Sequence, residues 1–146
     1  MIEIKTSFIK INSEEFEEAI EIRYNELFKD KNLPKSITVD DLDKTSIHCI
    51  AKYGEQVIGY GRLSIDGDKG KISQMAVKKE YQKKGVGRKI VLTIVEKAKE
   101  LKIPHLYMAA RVHVIGFYEK LGFHVTGEIF PSKITQIPHK TMVMDL

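Results

Sequence analysis

The chain has 146 residues, a formal net charge of +4, one cysteine and no tryptophan. A domain of that length buries roughly 70% of the surface its unfolded chain exposes. Apolar residues at 42% against 30% charged exclude a disordered or fibrous chain, and the lone Cys49 excludes an internal disulfide.

Ile2 to Phe8 alternates weakly, as a first strand does. Asn12 or Ser13 can cap a helix running to about Phe28, with Asn12 three residues before Glu15 at the capping spacing. Phe16, Ala19, Ile20, Arg23 and Leu27 line one face of that helix, opposite a strongly acidic one. Residues 29–38, with Pro34, read as a loop and 39–45 as a short helical turn. The runs 48–53 and 57–64 flank Gly-Glu-Gln, and a second turn at 66–70 leads into 71–77, an antiparallel meander. From Val86 the period changes: Val86, Ile90, Val91, Ile94, Val95, Ala98 and Leu101 form a helical stripe. Then follow a short buried strand over 105–109 and a second amphipathic helix over 113–121, stopped by Gly122. Strands at 123–128 and 140–144 finish the chain, joined by a loop containing Pro131 and Pro138. The order describes one α/β domain over 1–146, a central mixed sheet flanked by helices.

Charge is unevenly placed. Residues 1–48 hold 7 basic and 11 acidic side chains, and residues 49–146 hold 17 and 9. The densest basic run, 78–89, invites an anionic partner. Its single aromatic, Tyr81, does not make the interleaved rings of a single-strand groove, so no nucleic-acid partner is expected. No metal-ligand spacing is present. No run approaches the ~18 apolar residues of a membrane helix, and the start, MIEIKTSF, lacks the apolar core of a secretory signal. A cytoplasmic protein off the membrane is expected.

The informative segment is the strand ending at Val77, then Lys-Lys-Glu-Tyr-Gln-Lys-Lys-Gly-Val-Gly, then the Val86 helix. The free N–H groups and dipole of a helix N-terminus bind anions, and Gly85 and Gly87 let a phosphate approach the backbone. Lys83, Lys84 and Arg88 add positive charge. A dinucleotide fingerprint fails because position 90 is Ile90, and no P-loop string exists.

Gln82-Lys83-Lys84-Gly85-Val86-Gly87 after Met75-Ala76-Val77 resembles the Q/R-x-x-G-x-G/A acetyl-CoA-binding signature of the GNAT acyltransferase superfamily. Phe117-Tyr118-Glu119-Lys120-Leu121-Gly122-Phe123 resembles its F-Y-x-x-x-G-F helix, about thirty residues on. The resemblance covers nearly the whole chain. Ile137-Pro138-His139, together with Ile22-Arg23, Asp40, Asp43 and His48, is similar to the small ElaA-like and YjcF-like branch. It implies a single-domain acyl-CoA N-acyltransferase fold. The implied activity is acetyl transfer from acetyl-CoA to a primary amine, carried by a small molecule or a protein. Many members are dimers, which leaves a homodimer open. Arg111 stands where many members have Asn at a cofactor contact, and Gln136 replaces a glycine before Ile-Pro-His. The Glu-Gln pair that follows the first helix in this branch is absent, and the loop 131–135 is not acidic.

Several roles follow from the resemblance. The backbone around Met75, Ala76 and Val77 would hold the pantetheine amides and the oxyanion. Gln82, Lys83, Lys84, Gly85, Val86, Gly87 and Arg88 would cradle the pyrophosphate, with Arg111 nearby. Tyr118 would give its proton to the thiolate, a phenol near ~10 facing a thiol near ~8.5. Phe117 fits a core aromatic better than Tyr118 does. His139 is the first candidate for a general base and His48 the second. His105 reads as a strand edge and His113 as a helix cap. The alternative is a GNAT fold that holds acyl-CoA without turnover.

Overall fold

A computed structural model describes residues 3–146 of the protein; the expected start of the first strand at Ile2 lies outside them. Seven strands form one sheet in the order β1-β2-β3-β4-β5-β7-β6. They are β1 (Ile4–Ile9), β2 (Ile47–Tyr53), β3 (Gln56–Asp66), β4 (Lys69–Val77), β5 (His105–Arg111), β6 (His124–Pro131) and β7 (Pro138–Asp145). All neighbours are antiparallel except β4 and β5. Three helices complete the fold: α1 (Glu14–Leu27), α2 (Val86–Glu100) and α3 (Ile115–Lys120).

Ser13, of the two candidate caps, starts α1: its hydroxyl accepts from the Phe16 N–H. The 29–38 loop is two 3-10 turns, Lys29–Lys31 and Lys35–Thr38, and a third turn spans Asp41–Lys44 with Asp40 as its cap. Strands β6 and β7 run further than their hydrophobicity indicates. Pro131 and Pro138 are register partners in them, so the connecting loop shrinks to 132–137. Gln136 adopts φ 63°, the left-handed region where a glycine is strain-free.

The sheet separates two cores. On one face Phe16, Ala19 and Ile22 of α1 pack on Ile50, Val57, Tyr60 and Ala76. On the other, Val86, Ile90, Val91, Ile94 and Val95 of α2 pack on Cys49, Leu63, Ile72, Leu106, Met108 and Met142. Helix α2 sits close because β3 carries Gly61 beneath it. A Cβ there would lie 2.6 Å from Met75 Sδ and 2.8 Å from Ile90 Cγ2.

Candidate active site

Strands β4 and β5 pair only over Lys69–Lys71 and His105–Tyr107, then part. The parting coincides with a bulge. Tyr60 faces Ala76 and Arg62 faces Ser73, so one extra residue of β4 is accommodated between them. Gln74 takes the strain there, at φ 57°. Lys78 N donates to Ile58 O across β3. By strand alternation the N–H groups of Met75 and Val77 therefore turn away from β3 into the split. Ala76 instead faces Tyr60 and buries its side chain under α1, so its amide belongs to the β3 ladder rather than to the split.

Beside the split lies the start of α2. Gly85 is its N-cap at φ 83°, a conformation that favours glycine, and no side chain caps it. The first backbone bond runs from Lys89 N to Gly85 O, which leaves the N–H groups of Val86, Gly87 and Arg88 facing outward. No acidic residue stands in this first turn, and Lys83, Lys84 and Arg88 are exposed around it. Val86 itself is buried and contributes only its backbone. Gln82 braces the loop: its amide nitrogen donates to Val77 O at 2.9 Å and to Glu26 of α1 at 3.0 Å. Uncapped donors, an open left-handed glycine and lysines with no carboxylate partner among the described residues fit the pyrophosphate of a coenzyme A.

The two aromatics of α3 exchange their expected places. Phe117 is 38% exposed and lies 3.4 Å from where a Gly87 Cβ would be, while Tyr118 is 7% exposed in the core. Phe117 thus lines the α2 entrance and Tyr118 is the buried ring, edge-on to Phe117 and Phe123. Burial pushes the Tyr118 phenol up to about 12.

His139 sits on β7 opposite Arg111 of β5 and Phe130 of β6, its ring stacked on Phe130. Its Nδ1–H donates to Ile137 O at 2.7 Å, so in the neutral ring Nε2 carries the lone pair. His48 is excluded as a base. It is buried, its Nε2–H donates to Asp43 O, and its Nδ1 accepts from Tyr60 OH at 2.5 Å. Burial also lowers its pKa, against the pull of Asp43. His105 binds Asp145 at the start of β5, and His113 lies in the 3-10 turn Val112–Val114 before α3 rather than capping it.

His48 belongs to a buried network that gathers Arg23, Asp40 and Asp43 of the branch-like set, while Ile137-Pro138-His139 lies apart on β7. Arg23 of α1 donates to Asp43 at 2.9 Å and to Thr38 O at 2.7 Å. Arg62 of β3 donates to Asp43 at 3.0 Å and to Asp40 at 2.7 Å, and its Nε reaches Ser73 Oγ at 3.0 Å. Burial alone would raise the Asp43 pKa; hydrogen bonds from Arg23, the Asp40 backbone and Arg62, with the Arg23 charge, hold it below the usual range. The network ends on Ser73, next to the bulge. Sequence reasoning missed Gln74, Arg62 and Ser73. One signal for the bulge was present: Ile72, Met75 and Val77 face the same core, a three-residue step where a regular strand allows two.

A parallel pair of strands that parts beside a glycine-opened helix N-terminus is the arrangement of an acyl-CoA N-acyltransferase. The acetyltransferase (GNAT) family model matches residues 6–123, and the chain belongs to that family. It is 28% identical over 134 residues to the uncharacterized N-acetyltransferase YjcF of Bacillus subtilis (strain 168), covering 92% of this chain and 95% of that one. Its fold matches Escherichia coli ElaA with a TM-score of 0.80 at 20% identity over 99% of both chains. It also matches a GNAT family acetyltransferase from Elizabethkingia anophelis with acetyl-CoA bound, with a TM-score of 0.75 at 20% identity over 98% of both. An acyl-CoA is therefore the cosubstrate class. No helix among the described residues is long and apolar enough to cross a membrane.

Proposed function

We propose that the protein transfers the acetyl group of acetyl-CoA to a primary amine by direct attack within the split. The observation that carries this reading is the parting of β4 from β5 where the Met75 and Val77 amides become free. Acetyl-CoA would supply an activated thioester carbonyl. The Met75 and Val77 N–H groups would orient it and donate to the oxygen that gains charge. Val86, Gly87 and Arg88 amides, with Lys83, Lys84 and the Arg88 side chain, would hold the phosphates. Gln82 would act through the loop it braces rather than by direct contact.

Tyr118 would face the leaving sulfur. A phenol pushed up to about 12 is fully protonated at neutral pH. It is a weaker acid than the ~8.5 thiol, so its hydrogen bond, more than complete proton transfer, would stabilise the departing thiolate. His139 Nε2 would take the proton of the acceptor ammonium before attack.

The test is twofold. Calorimetry with acetyl-CoA reads binding, and thiol release across a panel of primary amines reads turnover. Acetyl-CoA binding without release on any amine would favour an acyl-CoA-holding protein instead, and no binding at all would remove the reading.

A further inference from the structure

Resting on that acetyl-transfer reading, we propose that Arg111 receives an anionic group, a carboxylate or a phosphate, borne by the acceptor amine, so that acceptors carry negative charge near the nitrogen that is acylated. Three arginines of the protein lose much of their contact with water, and they differ in how they are neutralised. Arg23 and Arg62 share Asp43, and Arg62 adds Asp40. Arg111 is half-buried and has no carboxylate within ion-pair distance among the described residues. Its one side-chain hydrogen bond among the described residues is a long 3.5 Å contact from Nη2 to Leu27 O at the end of α1. That end of α1 carries no basic residue of its own, so the helix dipole helps hold the guanidinium but leaves its fork unfilled. Desolvation with nothing to oppose it lowers the Arg111 pKa. A planar anion would fill the fork in the bidentate geometry that guanidinium prefers.

Placement makes the ligand an acceptor rather than the cofactor's phosphates. Leu106, Met108 and Ala110 of β5 point into the α2 core, so Arg111 points to the opposite face by strand alternation. It stands at the end of β5 that has left β4, flanking the split, with His139 as its register partner on the same face. Tyr107 and Thr141 share that face and are part-exposed. The carboxylate of these two strands on this face, Asp145, is six residues along at the far end, roughly 20 Å away at strand rise, and binds His105. Of the acidic residues of α1, Glu26 stands next to Leu27 but is engaged by Gln82 at 3.0 Å and forms no ion pair with Arg111. Glu18, Glu21 and Glu26 line a groove of about 400 Å³ with Glu80 and the start of β3, to which neither β5 nor β7 contributes.

The experiment compares matched acceptors at saturating acetyl-CoA: α-, β- and γ-amino acids against their amides, O-phosphoethanolamine against ethanolamine, and a diamine. The anionic member of a pair is expected to be favoured at least about tenfold in kcat/KM. Arg111→Gln should raise KM for that member by roughly 10–100-fold, the span of a charge-assisted hydrogen bond pair. It should leave the neutral member and the acetyl-CoA Kd unchanged, and Arg111→Lys should restore part of the loss. The carboxylate and phosphate arms tell the two anions apart. Equal use of acids and amides, preference for the diamine, an equal loss for both members, or weakened acetyl-CoA binding in Arg111→Gln would each overturn the proposal. If no amine is acetylated, the function reading fails separately, and calorimetry of the same pairs decides: acids that bind wild type and Arg111→Gln alike would overturn the role of Arg111.

Discussion

In the proposed reaction Tyr118 and His139 would hold the two proton positions, and their surroundings differ in kind. Tyr118 is enclosed by Phe117 and Phe123. Removing its hydroxyl takes away a donor without opening a cavity. Tyr118→Phe should lower kcat by roughly 10²–10⁴-fold and leave the acetyl-CoA Kd within about twofold, checked by steady-state kinetics and calorimetry; wild-type turnover would make Tyr118 a core ring only. His139 has one nitrogen committed to Ile137 O and one free. If Nε2 takes the acceptor proton, kcat/KM rises with pH along a limb that His139→Ala removes. A limb that survives the substitution and moves with the amine pKa of the acceptor would belong to the acceptor. The F-Y string made Tyr118 visible in the sequence. It put the wrong ring in the core, Phe117 instead of Tyr118, because α3 is too short for periodicity to orient its faces: Ile115–Lys120 is under two turns.

On the proposed reading, the element that would decide cofactor binding is the turn from β4 into α2. Its helix was legible from Val86 onward because seven apolar positions repeat at helical spacing. Its glycine was legible as a motif, and the structure supplies the reason, a left-handed N-cap at φ 83° with nothing within 4 Å of a would-be Cβ. The harm of a β-branched residue at position 85 would thus come from the backbone, not from crowding. Gly85→Val should weaken acetyl-CoA at least about tenfold while the helix persists, and Lys83→Ala should cost less, because an exposed charge is screened. Calorimetry with circular dichroism checks both; equal affinity in a folded Gly85→Val protein would detach the loop from the cofactor. The bulge of β4 left a trace in the three-residue step from Ile72 to Met75, but the residue that takes its strain did not. A residue such as Gln74 at φ 57° has no compositional signature.

At the scale of the molecule, the polar network under α1 joins five segments distant in sequence: the helix, the 38–45 turns, β2, β3 and, through Ser73, β4. Arg23, Asp40, Asp43 and His48 were visible as a branch-like set, but their partner Arg62 was not, since pairing across 19 residues leaves no local pattern. Asp43 neutralises two buried guanidiniums, so Asp43→Ala should destabilise the fold by about 3–5 kcal/mol, read from chemical denaturation. Acid should act in two stages. The His48 pKa lies below 6.5 in the folded state, so the unfolded chain binds the proton first and stability falls as pH drops from about 6.5. The Asp43 pKa lies below 3.8, so its contribution is complete above that value and is lost as pH falls through the folded one. His48→Gln should remove the earlier stage alone; an unchanged acid profile would mean another group sets it.

Among the described residues, three register pairs, Lys69–His105 to Lys71–Tyr107, are all the ladder that fastens β1–β4 to β5–β7–β6. Mechanically the sheet is two stiff leaves on a short spine, and whatever fills the gap is load shared between them. An acyl-CoA whose amides bond the free edge of β4 would act as a splint. Its binding should then be felt far from the sulfur: saturation at 100 times Kd adds about 2.7 kcal/mol to the stability of the whole domain. Amide hydrogen exchange should slow in both leaves together, in Leu106–Ala110 as well as in Met75–Val77. Protection confined to the α2 loop would mean that the ligand is held by its phosphates alone and leaves the leaves free to open.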